Sequence, residues 1–493
     1  MTKDTQKKET KKQEKHELGI KAEKDDFSEW FTELMIKAEL ADYTDVSGCM
    51  VFRPASYAIW EKIVAETDKR MKKLKVENAY FPLFIPEKLL NIEKEHVQGF
   101  SPEVAWVTQA GDTKLSERLA VRPTSETIMY PSFSKWIRSW RDLPLRINQW
   151  NNVVRWEFKH PVPFFRTREF LWNELHTVLA TEKEALEEGK KMLEIYDEVC
   201  RDYLALYGVI GKKTEREKFA GGLASWKIHY ILPNGRIIEG PCFHYDGQNF
   251  AKAYNIQFLS QEGKKQYAYQ CTYAITTRML GVMFAMHADS KGLVLPPKIA
   301  PLQVVIVPII FEETKEQTIK EAKKIEKELE KKGISVYLDD REEYKAGFKF
   351  NEYELKGIPL RIEIGPKELK ENSVILYRRD TQEKKKVSIK DISKISLKLL
   401  EEIQKNLFEN SKKIFENKTE KANTLEKVKN LIENKKVAIS PLCKNEKCEE
   451  ILKAETKGAK AVFIDEKNLV KDNDKCIICN KKADYNVYIG KVY

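Results

Sequence analysis

The stretch VVRWEFKHPVPFFRTREFLWNELHT, Val153 to Thr177, mixes charged and aromatic residues in an order that reads as strand, loop and strand. On an extended chain Arg155 and Glu157, two residues apart, share one face. Turned inward, charges at that spacing are costly unless a charged ligand or partner compensates them. A surface hairpin laced by cross-strand ion pairs is the alternative. Further on, Trp172, Glu174 and His176 alternate along one strand face, so an apolar wall and its polar supports come from a single element.

Around this stretch the chain is globular in composition. Its 493 residues are 42% hydrophobic, 10% aromatic and 33% charged, without excess Gly or Pro, which excludes a mainly disordered, collagen-like or disulfide-stapled protein. At roughly 150 residues per domain the length predicts about three domains. A net charge of +11, with both signs abundant, is compatible with a nucleic-acid partner and equally with a lysine-rich surface. No apolar run approaches the roughly 18 residues of a membrane helix. The first residues carry neither a secretory nor an Arg-rich transit pattern, so a cytoplasmic location is expected.

The texture changes along the chain divide it. Residues 1–17, rich in Lys, Gln, Glu and Thr, read as a solvated Lys-rich tail. Residues 18–298 open with helical spacing at Phe27, Trp30, Phe31 and Leu34 and continue, rich in aromatics and arginine, to Pro296-Pro297. Leu302 to Ile310 then reads as a buried strand, Glu312 to Lys332 as a helix ended by Gly333, and Ile334 to Leu338 as the next strand. That βαβ unit makes 299–400 a small α/β domain. A Lys/Glu helix through Ile403, Leu407, Ile414, Leu425 and Val428 opens residues 401–493, where four of the eight cysteines crowd together as Cys443-x4-Cys448 and Cys476-x2-Cys479. Two short cysteine pairs separated by a loop predict a closed tetrahedral zinc site with no open position for catalysis.

The Arg155-x-Glu157 pattern followed by FRTREFLW (165–172) resembles motif 2 of the class II aminoacyl-tRNA synthetases, in the form found in prolyl-tRNA synthetases of archaeal and eukaryotic type. Other segments resemble the same family in the same order: YFPLFIP (80–86) like motif 1, RPTSE (122–126), GQNF (247–250), Thr276 to Pro297 with Arg278 like motif 3, and KFNEYELKGIPLRIEIG (349–365). The resemblance implies an α+β fold: an antiparallel sheet flanked by helices, then an α/β anticodon-binding domain and a C-terminal zinc-binding α+β domain. It implies a homodimer formed through motif 1, where Pro82 lies. Threonyl- and glycyl-tRNA synthetases fit less well, because RPTSE and FRTREFLW occur together.

Amino-acid activation requires no general base, since the attacking carboxylate is already ionised. What it requires is charge neutralisation and alignment at the α-phosphate, a task suited to the guanidinium fork. By resemblance, Arg155 holds the α-phosphate and the proline carboxylate, and Arg278, with Thr276 beside it, holds the terminal phosphates. Glu157, Arg166 and Thr167 contact the nucleotide, Phe170 stacks on adenine, and Mg2+ bridges the phosphates. The protonated secondary amine of proline has two N–H donors, for which Thr124 and Glu126 supply acceptors. Trp172, Glu174, His176 and His244 complete its pocket.

The chain departs from the family at EGPC (239–242), where glutamine, two residues and threonine are usual. Glu239 and Cys242 therefore stand at nucleotide-contacting positions, and a carboxylate near ATP would repel phosphate unless a metal lies between, so Glu239 is expected to coordinate or orient Mg2+. Asn173, Leu175 and Ala288 are further departures, at positions where glutamine, glycine and glycine are usual. A regulatory RNA-binding protein that no longer charges tRNA is the alternative this segment keeps open. In the α/β domain Glu354, Arg361 and Lys367 are candidate readers of unstacked anticodon bases, against plain surface charge. The short connection from Thr177 to Glu239 predicts no inserted editing domain. Tyr493 is expected near the active site, the +11 charge on tRNA phosphates, and docking of other translation proteins is left open.

Overall fold

The computed structural model describes residues 20–24, 26–90, 103–157, 161–219 and 221–493, so the Lys-rich stretch 1–17 lies outside the described residues. The chain opens with α1 (Phe27–Lys37), whose buried residues include Phe27, Trp30, Phe31 and Leu34, as the spacing predicts. Helix α2 (Pro54–Lys73) packs beside it in the same core. Then come β1 (Glu77–Asn78), α3 (Glu126–Trp136), β2 (Leu145–Val154), β3 (Glu169–Leu179), α4 (Glu182–Asp202), β4 (Val209–Lys212), β5 (Ala224–Ile231), β6 (Ile237–Gly247), β7 (Tyr269–Ala274) and α5 (Arg278–His287). Strands β4, β5, β6, β7, β3 and β2 pair antiparallel in that order, and β1 joins the edge in parallel. Helices α4 and α5 cover one face, with Met192, Tyr196, Met279 and Phe284 in the main core, and the other face is left to the site.

The second unit contains β8 (Val304–Pro308), α6 (Lys315–Glu330), β9 (Val336–Leu338), α7 (Ala346–Leu355), β10 (Leu360–Ile364), β11 (Ser373–Arg378) and β12 (Lys384–Ser388), in the sheet order β9-β8-β10-β11-β12. The βαβ unit read from the sequence is here, and Gly333 takes the left-handed φ of +76° that ends the helix and turns the chain into β9. Arg379, fully buried, donates to both carboxylate oxygens of Asp289 at 2.7 and 2.6 Å and ties this unit to the first.

Helix α8 (Ile392–Lys418) runs without a break through residue 400. A domain boundary at 400/401 therefore falls inside one helix, and the periodicity across 403–428 belongs to two helices. Between them lies β13 (Thr419–Lys421), and Thr424 caps α9 (Leu425–Glu433). Strands β14 (Val437–Leu442), β15 (Lys460–Ile464) and β16 (Tyr485–Gly490), with α10 (Glu446–Glu455), complete the C-terminal unit. Its strands do not form a separate sheet. Ile464 pairs with Lys212, joining β15 to β4, so one sheet of 11 strands runs from β13 to β1.

The seam is tight. Phe463 stacks on His229 with ring centroids 4.0 Å apart, and a Cβ at Gly211 would collide with the Phe463 ring. Gly211→Ala should therefore cost about 1–3 kcal/mol through overpacking. We expect a thermal midpoint lower by several degrees in circular dichroism, partly restored by Phe463→Leu in the same chain.

Candidate active site

Strands β5, β6, β7 and β3 floor a cavity of about 440 Å³, walled by the Thr124–Glu126 turn, the loop bearing Phe164, Phe165 and Thr167, and the start of α5 at Arg278. The β2–β3 register, with Gln149 opposite Glu174 and Ile147 opposite His176, turns Trp172, Glu174 and His176 to the cavity together. The β6–β7 register, with His244 opposite Thr272, brings His244 beside them.

One end of the cavity is built around carboxyl groups. Glu174 Oε1 accepts from the Ser125 backbone N–H at 2.6 Å and from the Thr124 hydroxyl at 2.9 Å, and lies 3.3 Å from His176 Nε2. Tyr130 holds the other ring nitrogen of His176 at 3.0 Å. Thr124 also contacts Glu126 through its hydroxyl. Burial alone would raise both carboxyls. In Glu174 it is overcome by the His176 hydrogen bond and charge and by Ser125, and the group is pulled down to about 2. In Glu126 burial prevails, with the neighbouring Glu174 charge adding to it, and the carboxyl is held above its ordinary range. Burial, with Lys227 and Arg155 nearby, pushes His244 down to about 3, so it is a neutral imidazole, hydrogen-bonded to Ser225 at 2.7 Å.

The other end is built around guanidinium groups. The Arg155 Nε donates to the Pro123 carbonyl at 3.0 Å, and its guanidinium lies 5.4 Å from the ring centroids of both Phe170 and Trp172. Arg278 is the first residue of α5 and donates to the carbonyls of Phe165 at 3.3 Å and Glu239 at 3.2 Å. Thr167, Cys242 and Thr276 line the same region.

Several expected site residues are placed differently. Strand β2 ends at Val154, so Arg155 stands just past it and Glu157 lies exposed in the following turn, not on a shared strand face. Arg166 is exposed and absent from the cavity lining. Glu239 is not poised for a cation: Lys213 and Lys227 each donate to one of its oxygens at 2.6 Å, and a divalent ion there would meet two ammonium groups. The expectation that Glu239 holds Mg2+ is corrected accordingly. Arg361 is 3% exposed, bonded to Glu363 and Glu354 and held 4.1 Å from the ring centroids of Phe350 and Tyr377, so it braces the sheet and does not present donors to a base. Glu354 also pairs with Lys291, while Lys367 is exposed.

Sequence reasoning missed Lys213, Lys227 and Phe219. The signal was the turn Pro233-Asn234-Gly235, since folding the hairpin about it pairs His229 with Glu239 and brings Lys227 opposite Cys242.

Away from this cavity, Cys443, Cys448, Cys476 and Cys479 place their sulfurs within 4.8 Å of one another. The sulfur of Cys443 is 3.5 Å from that of Cys448 and 3.7 Å from that of Cys479. Thiolates at about 2.3 Å from a tetrahedral zinc stand roughly 3.8 Å apart, so the donor set fits that ion. The Lys481 backbone N–H and neighbouring thiols bring Cys479 down to about 7.

An antiparallel sheet with an arginine just past the end of one strand, and a second arginine at the head of the helix beneath the sheet, is the arrangement that the resemblance to class II aminoacyl-tRNA synthetases implies. In agreement, the tRNA synthetase class II core domain (G, H, P, S and T) family matches residues 106–287, the anticodon binding domain family 303–399, and the prolyl-tRNA synthetase C-terminal family 425–493. A proline–tRNA ligase of Natranaerobius thermophilus is 43% identical over 98% of this chain and 100% of its own, and one of Clostridium botulinum is 44% identical over 95% and 97%. A crystal structure of prolyl-tRNA synthetase from Cryptosporidium parvum, complexed with halofuginone and AMPPNP, superposes with a TM-score of 0.94 at 45% identity, covering 97% of this chain and 100% of that one. The chain belongs to the proline–tRNA ligase family: it activates L-proline with ATP, releasing pyrophosphate, and transfers proline to the 3' end of its tRNA.

Tyr493 reaches this site indirectly. Its ring lies 4.7 Å from Phe165 and 5.7 Å from Phe27, and Phe165 carries the carbonyl that Arg278 grips. An aromatic pair contributes about 0.5–1.5 kcal/mol. Tyr493→Ala should therefore lower kcat/KM for ATP about 2- to 10-fold in ATP–pyrophosphate exchange, with little change in thermal midpoint.

Proposed function

We propose that the two electrostatic ends of the cavity divide the activation step between them, and this division is the observation that carries the assignment of roles. Proline is a zwitterion, and the acidic end receives its cationic amine, on Thr124 and Glu126, with Trp172 against the ring and Glu174, His176 and His244 supporting the pocket. Arg155, between that pocket and the nucleotide, holds the proline carboxylate against the α-phosphate. Arg278 and Thr276 take the terminal phosphates, and Phe170, Thr167 and Cys242 line the nucleoside. A low-dielectric setting makes these fixed charges worth more than they would be in water. Among the described residues the nucleotide end offers guanidinium groups and no free carboxylate, since the cavity-lining Glu217 is paired with Lys460 at 2.9 and 3.0 Å. With Arg155, Arg278 and Thr276 holding the phosphates, Mg2+ bound to ATP would supply further charge neutralisation there.

The empty pocket favours a proton on Glu126, whereas a bound ammonium favours its carboxylate. Where the pH lies below the raised range of Glu126, proline binding must expel a proton, so affinity falls as pH is lowered through that range. We expect KM for proline to rise up to about tenfold per pH unit on the acid side, while KM for ATP stays flat. Glu126→Gln should raise KM for proline about 10- to 100-fold and abolish that slope. A slope that survives the substitution would assign the proton elsewhere. Arg155→Ala should lower proline-dependent ATP–pyrophosphate exchange by about 100-fold or more.

The remaining assignments are of the same kind. The four-cysteine cluster holds structural zinc, and Cys448→Ser is expected to remove that metal in elemental analysis and lower the thermal midpoint, because the ligands bracket strands of the shared sheet. Lys367 and the edge around Glu354 face the anticodon. Tyr80 is 73% and Phe84 44% exposed, alternating with the buried Phe81 and Ile85, and that apolar ridge supports a homodimer through the 80–86 segment. No helix among the described residues is long and apolar enough to cross a membrane, and the free cysteines support a reducing, cytoplasmic setting.

A further inference from the structure

Three ionisable groups meet where the end of β4 lies beside hairpin β5–β6: Lys213 just past β4, Lys227 on β5 and Glu239 on β6. Lys213, 2% exposed, donates to one oxygen of Glu239 at 2.6 Å, and Lys227 donates to the other at 2.6 Å. Burying such a cluster costs desolvation, and apolar replacements of buried ion pairs are often neutral or stabilising. The cluster also leaves one positive charge in excess, which stability does not explain. Of the three side chains only Lys227 lines the cavity. It stands opposite Cys242 in the strand register, and the Cys242 thiol is also within electrostatic reach of Arg155 and of Arg278. Three cations thus converge on one stretch of cavity floor. Glu239 links two of them, since its carboxylate holds Lys227 and its backbone carbonyl accepts from Arg278 at 3.2 Å.

We propose that Lys227 is a third phosphate-binding cation for ATP, acting beside Arg155 and Arg278, and that Glu239, fixed by Lys213, is the positioning residue that aims it. The inference rests on the assignment of the guanidinium-lined end to the nucleotide. An ammonium has three N–H donors; one goes to Glu239, and the others remain for phosphate oxygens. A lysine held by a partner before the nucleotide arrives loses less rotamer freedom on binding than a free one. The positive excess of the cluster is then cancelled only when the polyphosphate is present.

The test is proline-dependent ATP–pyrophosphate exchange, with calorimetric binding of AMPPNP to the full chain, for Lys227→Met, Lys227→Arg, Glu239→Gln and the Met/Gln double variant. Exchange by the unaltered enzyme, and its loss in Arg278→Ala, checks the nucleotide assignment separately. We expect Lys227→Met to raise both KM for ATP and Kd for AMPPNP about 10- to 100-fold with KM for proline unchanged, and Lys227→Arg to recover most of that loss. Glu239→Gln should raise KM for ATP several-fold, and the double variant should be no worse than Lys227→Met alone, because the two side chains act through one contact. A folded Lys227→Met enzyme with ATP parameters within twofold of the unaltered one overturns the proposal. So does an equal loss for proline and ATP, or a loss confined to the transfer of proline to tRNA. Should Lys227→Met fail to fold, Glu239→Gln with an unchanged KM for ATP overturns it equally.

Discussion

Ten consecutive residues of β2, Leu145 to Val154, face β3 without a bulge, from Leu145 opposite Val178 to Val154 opposite Glu169. Because side chains alternate with a period of two, a slip of one residue would turn Trp172, Glu174 and His176 into the helix layer and bring Leu171, Asn173 and Leu175 into the cavity. Asn173 helps to prevent this. Its amide donates to Asn148 at 3.0 Å and to the Tyr196 hydroxyl at 2.8 Å, and its carbonyl accepts from Ile275 at 2.6 Å, so one buried side chain pins β3 to β2, α4 and the segment after β7. The departures at Asn173 and Leu175 therefore fall on the packed side of the strand, leaving the substrate side intact.

Upon that register rests a polarity. Within one cavity, carboxyl groups gather at the Thr124–Glu126 turn and guanidinium groups gather past the end of β2 and at the head of α5. On the proposed assignment, a substrate with its own separated charges settles in one direction, with its amine toward Glu126 and its carboxylate toward Arg155. Orientation is then a property of the empty site, present before any nucleotide arrives, and the alignment contributes to rate without a moving part. The two glutamates are treated unevenly: Glu174 accepts from Ser125 and Thr124 beside His176 and is held low, whereas Glu126, contacted by Thr124, is held above its ordinary range by burial and by the Glu174 charge.

Much of this was legible in the sequence. Charges embedded among aromatics at 153–177 can survive burial only with a ligand or partner, and strand alternation by itself groups Trp172, Glu174 and His176. The four-cysteine cluster, too, is local, set by two short spacings. The errors share a cause, which is partners distant in sequence. Glu239 looked like a metal ligand because Lys213, 26 positions earlier, is not visible as its partner until β4 and β5 are laid side by side. Arg361 looked like a base reader because the rings of Phe350 and Tyr377 that enclose it come from a helix and a neighbouring strand. The attachment of the C-terminal unit was not legible either, since α8 continues across residue 400 and β15 joins β4, contacts that no local pattern encodes.

The shared sheet bears on how the protein is made. Strand β16 is interior to it, lying between β14 and β15, and it comes from residues 485–490. While a chain is still being synthesised, β14 and β15 each lack the neighbour that holds them, and β4 keeps an unpaired rim on the catalytic side. Such rims are sites of aggregation. Closure must wait until β16 has left the ribosomal tunnel, so products of premature termination would keep exposed edges and be open to chaperones and proteases. Strand order thus makes the last strand of the chain an interior one, and chains cut short before it lack the strand that joins β14 to β15.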